Sequence, residues 1–231
     1  PSSRGLGDVY KRQIVDPASG KQPLYGQNDD VVLAVNGEIY NHLTLKEEFE
    51  GNYNFRTESD CEVILALYEK YGFDFINKLN GIFAFALYDI KNKEFLIARD
   101  HIGIVPLYMG WDKKGTFFIA SELKALEGYC NKIEIFPPGK YFSSKKGDLK
   151  RWYERSWSPH ESRDSESIIV DKIRISLEQA VHQQLMTDVP YGVLLSGGLD
   201  SSIIAAITKK YSNRRIETND SSSACLLYTS P

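Results

Sequence analysis

The stretch Val193-Leu194-Leu195-Ser196-Gly197-Gly198-Leu199-Asp200-Ser201-Ser202 constrains the fold more than any other part of this sequence, because its character changes twice within a few residues. The apolar run Tyr191 to Leu195 predicts a short buried strand, and the glycine pair then breaks it. Ser201 onward predicts a helix, with Ile203, Ile204 and Ile207 at helical spacing and Lys209-Lys210 in the last turn. At a junction of strand, glycine turn and helix start, the first backbone N–H groups lack partners and the peptide dipoles leave partial positive charge. Glycines let an anion come close to that backbone. A phosphate group fits such a place, and a tight turn with no ligand is the plainer alternative. A Walker A loop is excluded, since no Gly-Lys-Ser/Thr follows four variable residues.

The motif Ser-Gly-Gly-Leu-Asp-Ser-Ser resembles the pyrophosphate loop of the ATP pyrophosphatases, enzymes that form an adenylate and release pyrophosphate. The resemblance implies that Ser196, Gly197, Gly198, Ser201 and Ser202 hold the pyrophosphate part of ATP. It places Asp200 near the magnesium-bearing phosphates and lets Leu194 face the adenine through its backbone. Which reaction the adenylate serves must come from the rest of the chain.

With 231 residues, 42% hydrophobic and 26% charged, the chain has material for one large or two ordinary domains. A net charge of −3 and a pI near 5.9 provide no basic field for nucleic acid or for a membrane surface. No apolar run approaches the roughly 18 residues of a spanning helix. Three cysteines, Cys61, Cys130 and Cys225, are odd in number, lack CxxC spacing and suit a reducing compartment. The four histidines, His42, His101, His160 and His182, have no zinc-ligand spacing.

Residues 1–13 and 221–231 are short, serine-containing and without hydrophobic periodicity, and they read as non-native flanks around a stretch of about Ile14 to Asp220 cut at both ends. From Val31 the pattern becomes regular. Val31 to Val35 predicts a strand, Asn36-Gly37-Glu38 a turn, and the residues after Ile39-Tyr40 a helix carrying Leu43, Leu45 and Phe49. Ser59-Asp60-Cys61-Glu62 has the form of a capping box opening a helix that ends at Gly72. Ile82 to Asp89, apolar on both faces, predicts a central strand. Phe95 to Ala98, Leu107 to Trp111 and Thr116 to Ala120 predict further strands, with turns at Pro137-Pro138-Gly139 and Lys145 to Asp148. This is an α+β pattern. Polar residues 156–167 read as a linker, and Ile168 to Leu185 as an amphipathic helix with Ile169, Ile173, Leu177 and Val181 on one face.

Asn36-Gly37-Glu38-Ile39-Tyr40-Asn41-His42, the helix opened by Ser59 to Glu62, Gly81 to Ala86, Arg99 to Tyr108 and Ala120-Ser121-Glu122 together resemble the class II glutamine amidotransferase domain. Followed by the pyrophosphate loop, they resemble the glutamine-hydrolysing asparagine synthetase family. The resemblance implies an N-terminal-nucleophile glutaminase of four αββα layers over residues 14–155. Over 168–220 it implies the start of an α/β ATP-pyrophosphatase domain. It further implies ATP and Mg2+ as cofactors, glutamine, aspartate and ATP as substrates, β-aspartyl-AMP as intermediate, a cytoplasmic location and, for a full-length protein, a homodimer.

Attack on a carboxamide creates an oxyanion, which needs preorganised donors; Asn36 through its side chain and Gly37 through its backbone N–H match the family's oxyanion hole. Glu38 and Asp60 match the carboxylates that bind the substrate's α-ammonium group, and Ile14 and Val15 match a segment lining the same pocket. Each has a plainer reading: Asn-Gly as a turn pair, Glu38 as a solvated strand end, Asp60 as a helix cap. Arg99 and Asp100 are explained as well by a buried ion pair shaping their loop, and Cys61 by an inert core thiol.

The chain departs from the family pattern in three ways. The family's nucleophile is a cysteine at the start of the mature chain, whereas Pro1 stands here and no cysteine precedes Cys61. The family's substrate-gripping arginine falls on Lys11, and the synthetase part stops soon after its first strand and helix. The expectation is therefore a polypeptide that derives from an asparagine synthetase but neither hydrolyses glutamine nor makes asparagine, with an uncovered apolar face over Ile168 to Tyr211. A different glutamine-dependent adenylating ligase, a β-lactam synthetase or a non-catalytic glutamine-binding module are the alternatives.

Overall fold

In the computed structural model residues 15–16, 20–155, 165–189, 191–212, 216–219 and 225–229 are described, the last two stretches by their backbone. The chain divides into two compact units, Pro1–Ser156 and Trp157–Pro231.

The first unit is built on a six-stranded antiparallel sheet: β1 (Leu24–Tyr25), β2 (Val31–Ile39), β3 (Gly81–Asp89), β4 (Glu94–Arg99), β8 (Lys140–Ser143) and β9 (Asp148–Arg151), in that spatial order. A second sheet has β5 (Tyr108–Trp111) between β6 (Phe117–Ala120) and β7 (Lys132–Ile135). As its two-faced apolar pattern predicts, β3 is central and buried. Phe83, Phe85 and Leu87 face one core together with α1 (His42–Glu47) and α2 (Val63–Tyr71). Ala84, flanked by Ile82 and Ala86, faces the other core, shared with Leu107, Met109 and Phe136 from the region of the small sheet. Leu33, Ile64, Leu65, Leu67 and Phe75 are fully buried on the helical side. Side chains of this size contribute roughly 1.5–3 kcal/mol each when removed from water, so the helical side is the larger source of stability.

Three local expectations change. Asn36-Gly37-Glu38 is not a turn: β2 runs through it to Ile39, pairing Asn36 with Ala84, Gly37 with Phe83 and Glu38 with Ile82. Gly37 has φ +143, and a Cβ there would sit 2.0 Å from the Ile82 carbonyl oxygen, while one on Gly81 would sit 2.1 Å from that of Glu38. Glycine thus serves close approach of two strands rather than reversal of the chain. The capping box is half realised. Ser59 Oγ accepts from the Cys61 amide at 3.3 Å, but Glu62 turns back further, to the amides of Arg56 and Thr57, each at 2.7 Å. Finally, the described residues of this unit give three layers, α, β and β. The only helical element after β6 is the single turn Leu123–Ala125, so the fourth layer of the αββα expectation is not seen among them.

The second unit contains α3 (Glu166–Gln183), β10 (Gly192–Leu195), α4 (Leu199–Tyr211), β11 (Ile216–Asn219) and β12 (Cys225–Thr229). Lys210 Nζ and the Tyr211 hydroxyl reach Glu178 Oε2 at 2.7 and 2.9 Å and tie α4 to the C-terminal half of α3. β12 pairs antiparallel with both β10 and β11 and separates them. It arises within the stretch read as a flank, where Cys-Leu-Leu-Tyr-Thr is a short apolar run of strand type. On α3 Ile168, Val170, Ile173 and Ile175 are exposed, whereas Ile169, Leu177 and Val181 of the expected apolar face are half-buried, so only Ile173 of that face stands open.

Candidate functional site

The last residues of β2 and the turn Asp60–Glu62 bring the carboxylates of Glu38 and Asp60 together. Asp60 is 1% exposed and its Oδ2 accepts the Ile39 amide at 2.7 Å, which fastens the turn to the end of the strand. Glu38 is 7% exposed. Burial first, then the Asp60 charge and a hydrogen bond to Asp60, push its carboxyl from the ordinary 4.5 up to about 8. Burial likewise raises Asp60, against the lowering influence of the Ile39 amide and of His42. Glu38 Oε2 has no hydrogen-bond donor among the described residues. Glu38 is therefore not a solvated strand end.

Neighbouring groups keep this corner in place. Asn41 bridges the two strand ends, its amide donating to the Lys78 carbonyl at 2.9 Å and its Oδ1 accepting from the Asn80 amide at 2.9 Å. Burial, with Glu38 and Asp100 behind it, raises the Tyr40 hydroxyl to about 12. Cys61 is buried, its thiol directed at the Gly37 carbonyl at 3.5 Å and at Asp60 Oδ2 at 3.7 Å. Burial and two carboxylates push that thiol well up, which makes it a poor nucleophile, in line with an inert core cysteine. Val15 is buried, and Asp16 Oδ2 accepts the Glu58 amide at 2.9 Å, so this segment is tied to the loop that leads into Asp60. Ile14 and Lys11 lie outside the described residues.

Asn36, two residues before Glu38 on the same strand, lines a cleft of about 280 Å3 between the sheets, together with Gln22, Ala34, Ala84, Ala86 and Ser121. The small side chains on β2 and β3 leave that space. Gln22, which the sequence reading passed over, grips the edge of β2: its amide donates to the Val35 carbonyl at 2.6 Å and accepts the Val35 N–H at 2.8 Å. Glu62, Asp16 and Gln22 all act by replacing a backbone partner, and no short sequence pattern announces that. Arg99 and Asp100 do shape their loop, through its backbone groups, with the Asp100 charge acting on Arg99. Arg99 donates to the carbonyls of Val105, Phe136 and Gly103, each at 2.7 Å. Asp100 accepts from the amides of Phe83, Ile102, Gly103, Ile104 and Val105. Both hold backbone.

In the second unit Ser196 to Gly198 join β10 to the start of α4, with Gly198 as the residue that caps the helix and Gly197 at φ +81. Ser201 Oγ accepts from the Ser196 amide at 3.3 Å, meets Ser196 Oγ at 3.0 Å and donates to the Gly198 carbonyl at 3.1 Å; Ser202 Oγ donates to the same carbonyl at 2.8 Å. Gly197, Gly198 and Asp200 are exposed, and no atom lies within 4 Å of a Cβ built on Gly197. The loop leads into the start of α4, where the first helix amides lack intrahelical partners. Leu194 pairs with Leu226 across the ladder and exposes its side chain. Among the described residues no group of His, Cys, Asp and Glu could hold a metal ion, and no helix is long and apolar enough to cross a membrane.

A family model described as the glutamine amidotransferase domain matches residues 5–146, and one described as asparagine synthase matches 172–221. The chain belongs to the glutamine amidotransferase family. Within it, the chain is 53% identical over 211 residues to asparagine synthetase B [glutamine-hydrolyzing] of Escherichia coli (strain K12), covering 91% of this chain and 38% of that one. It is 50% identical over 209 residues to asparagine synthetase [glutamine-hydrolyzing] 1 of Arabidopsis thaliana, covering 89% and 35%. The chain thus spans less than two-fifths of the length of these relatives. Among solved structures, an allosteric regulatory enzyme of purine biosynthesis has the same fold at 22% identity and a TM-score of 0.50, covering 88% of this amidotransferase chain and 49% of that one.

Proposed function

We propose that the first unit binds glutamine and serves the release of ammonia from its carboxamide, and that the protein as a whole uses this ammonia and ATP to convert aspartate to asparagine. The observation that carries the reading is the placement of Asn36 and Gly37 immediately before the buried pair Glu38 and Asp60. Oxyanion donors and an ammonium-binding corner are adjacent along one strand, as a glutamine with its reacting carboxamide at one end and its α-amino group at the other requires.

In this reading Asp60 and Glu38 take the α-ammonium group, the Asn36 amide and the Gly37 N–H face the tetrahedral oxyanion, and Val15, with Ile14, lines the pocket. Removal of one such oxyanion donor costs about 10²–10³ in rate. Ser196, Gly197, Gly198, Ser201 and Ser202 hold the pyrophosphate part of ATP. Asp200 faces its Mg2+ and Leu194 the adenine, so that β-aspartyl-AMP forms for ammonia to attack. ATP and Mg2+ supply the activation of the acid; the loop's own contribution is to present backbone N–H groups at a helix start. The names of the relatives and the two family matches in one chain support this assignment.

Product analysis tests it. The protein expressed from its full reading frame, given glutamine, ATP, Mg2+ and aspartate, is expected to yield asparagine and AMP in equal amounts. Glutamine consumption with no AMP contradicts the synthetase part of the proposal.

A further inference from the structure

Among the described residues no lysine or arginine faces the carboxyl pair of Glu38 and Asp60. Both side chains are more than nine-tenths buried, at 7% and 1% exposure. Asp60 Oδ2 is occupied by the Ile39 amide and the Cys61 thiol, whereas Glu38 Oε2 has no donor among the described residues. The titratable groups that face the pair are Cys61 from the same turn, Tyr40 from the end of β2 and His42 from the start of α1; Asp100, at the end of β4, acts through Tyr40. His42 lowers the Asp60 carboxyl by its charge, against the burial that raises it.

Two ionised carboxylates this close and this dry repel each other strongly, and one proton between them removes the repulsion and satisfies the orphan oxygen at once. A primary ammonium group satisfies the same oxygens with its own positive charge and three donors. Proton and ammonium therefore compete for one place. Resting on the reading of this corner as the seat of glutamine's α-amino group, we infer that the Glu38–Asp60 pair holds one proton in the free protein and releases it to solvent when a primary ammonium ligand binds. No covalent bond of the ligand changes, and the proton passes to the buffer. Because the Glu38 carboxyl is raised to about 8, the proton is present at neutral pH, and the apparent affinity rises about tenfold per unit as pH climbs toward about 8.

Titration calorimetry of the 231-residue chain with L-glutamine, in buffers of different ionisation enthalpy, tests this. The expected result is release of close to one proton per glutamine bound at about pH 7, with a dissociation constant that falls about tenfold from pH 6 to pH 7. 4-Carbamoylbutanoate, which keeps the carboxylate and carboxamide but has no amine, is expected to bind more weakly and to release no proton. Glu38→Gln is expected to flatten the pH dependence and abolish the release; since the unaltered chain carries the buffer comparison, the test does not depend on this variant folding. Glutamine binding with a heat independent of the buffer, and with constant affinity across this range, overturns the coupling and leaves the glutamine site standing. No glutamine binding at any pH overturns the site and the coupling together.

Discussion

Gly37 lies so close to the Ile82–Phe83 peptide across β2 and β3 that a side chain at 37 would have to pass through the Ile82 carbonyl oxygen, 2.0 Å from the position of its Cβ. The contact brings the backbone of β2 against that of the central strand β3, and Gly81 repeats it from the other side. Gly37→Ala combines an unfavourable φ of +143 with a clash against backbone that cannot swing aside. It is expected to cost ~3–5 kcal/mol, read as a lower midpoint in urea. Gly115→Ala also demands a positive φ, but meets nothing within 4 Å, and is expected to cost only ~1–2 kcal/mol.

The carboxyl pair has a signature in stability. The folded chain holds the Glu38 proton more tightly than the unfolded chain, so this residue's contribution falls as pH rises from about 4.5 to about 8. Glu38→Gln is expected to be nearly neutral near pH 5 and to stabilise by something on the order of 4 kcal/mol at pH 8. Melting temperatures of both proteins against pH check the sign: the two curves are expected to diverge upward in pH, and parallel curves would contradict the buried pair.

Cys61 offers a chemical probe of the same corner. Burial and the adjacent carboxylates keep its thiol protonated, so in the folded chain iodoacetamide is expected to modify Cys61 at least about tenfold more slowly than the half-buried Cys130. Mass spectrometry of the two peptides after timed labelling measures this directly.

Asp100 is expected to matter for the loop after β4 through its hydrogen bonds to backbone. Asp100→Asn keeps the shape but replaces acceptor lone pairs with an N–H2 group among five backbone amides. A loss of ~2–4 kcal/mol is expected, along with faster hydrogen exchange at Ile102, Gly103 and Ile104.

The elements with strong periodicity were legible in the sequence: β3 as a central strand, α2 ending at Gly72, α3 as an amphipathic helix, and the strand and helix around Ser196 to Ser202. What misled was local chemistry with two uses. Asn-Gly is a favoured turn pair, yet here the glycine allows β2 and β3 to approach, a relationship visible only once Gly81 is known to lie opposite Ile39. Arg99 and Asp100 suggest an ion pair by charge, while each also saturates separate backbone groups. The roles of Gln22 and Asp16 depend on partners distant in sequence, Val35 and Glu58, and so left no local trace. Proximity of Glu38 and Asp60 came from the family resemblance; their burial and the unpartnered Glu38 Oε2 came from the fold.

The most direct measurement is an amide chemical-shift titration of the isotopically labelled chain with L-glutamine. Saturable shifts centred on Gly37, Glu38, Ile39, Asp60 and Cys61, and lost in Asp60→Asn, are the expected result. Shifts that never saturate, or that appear only away from β2 and the Asp60 turn, would contradict a glutamine site built on this strand.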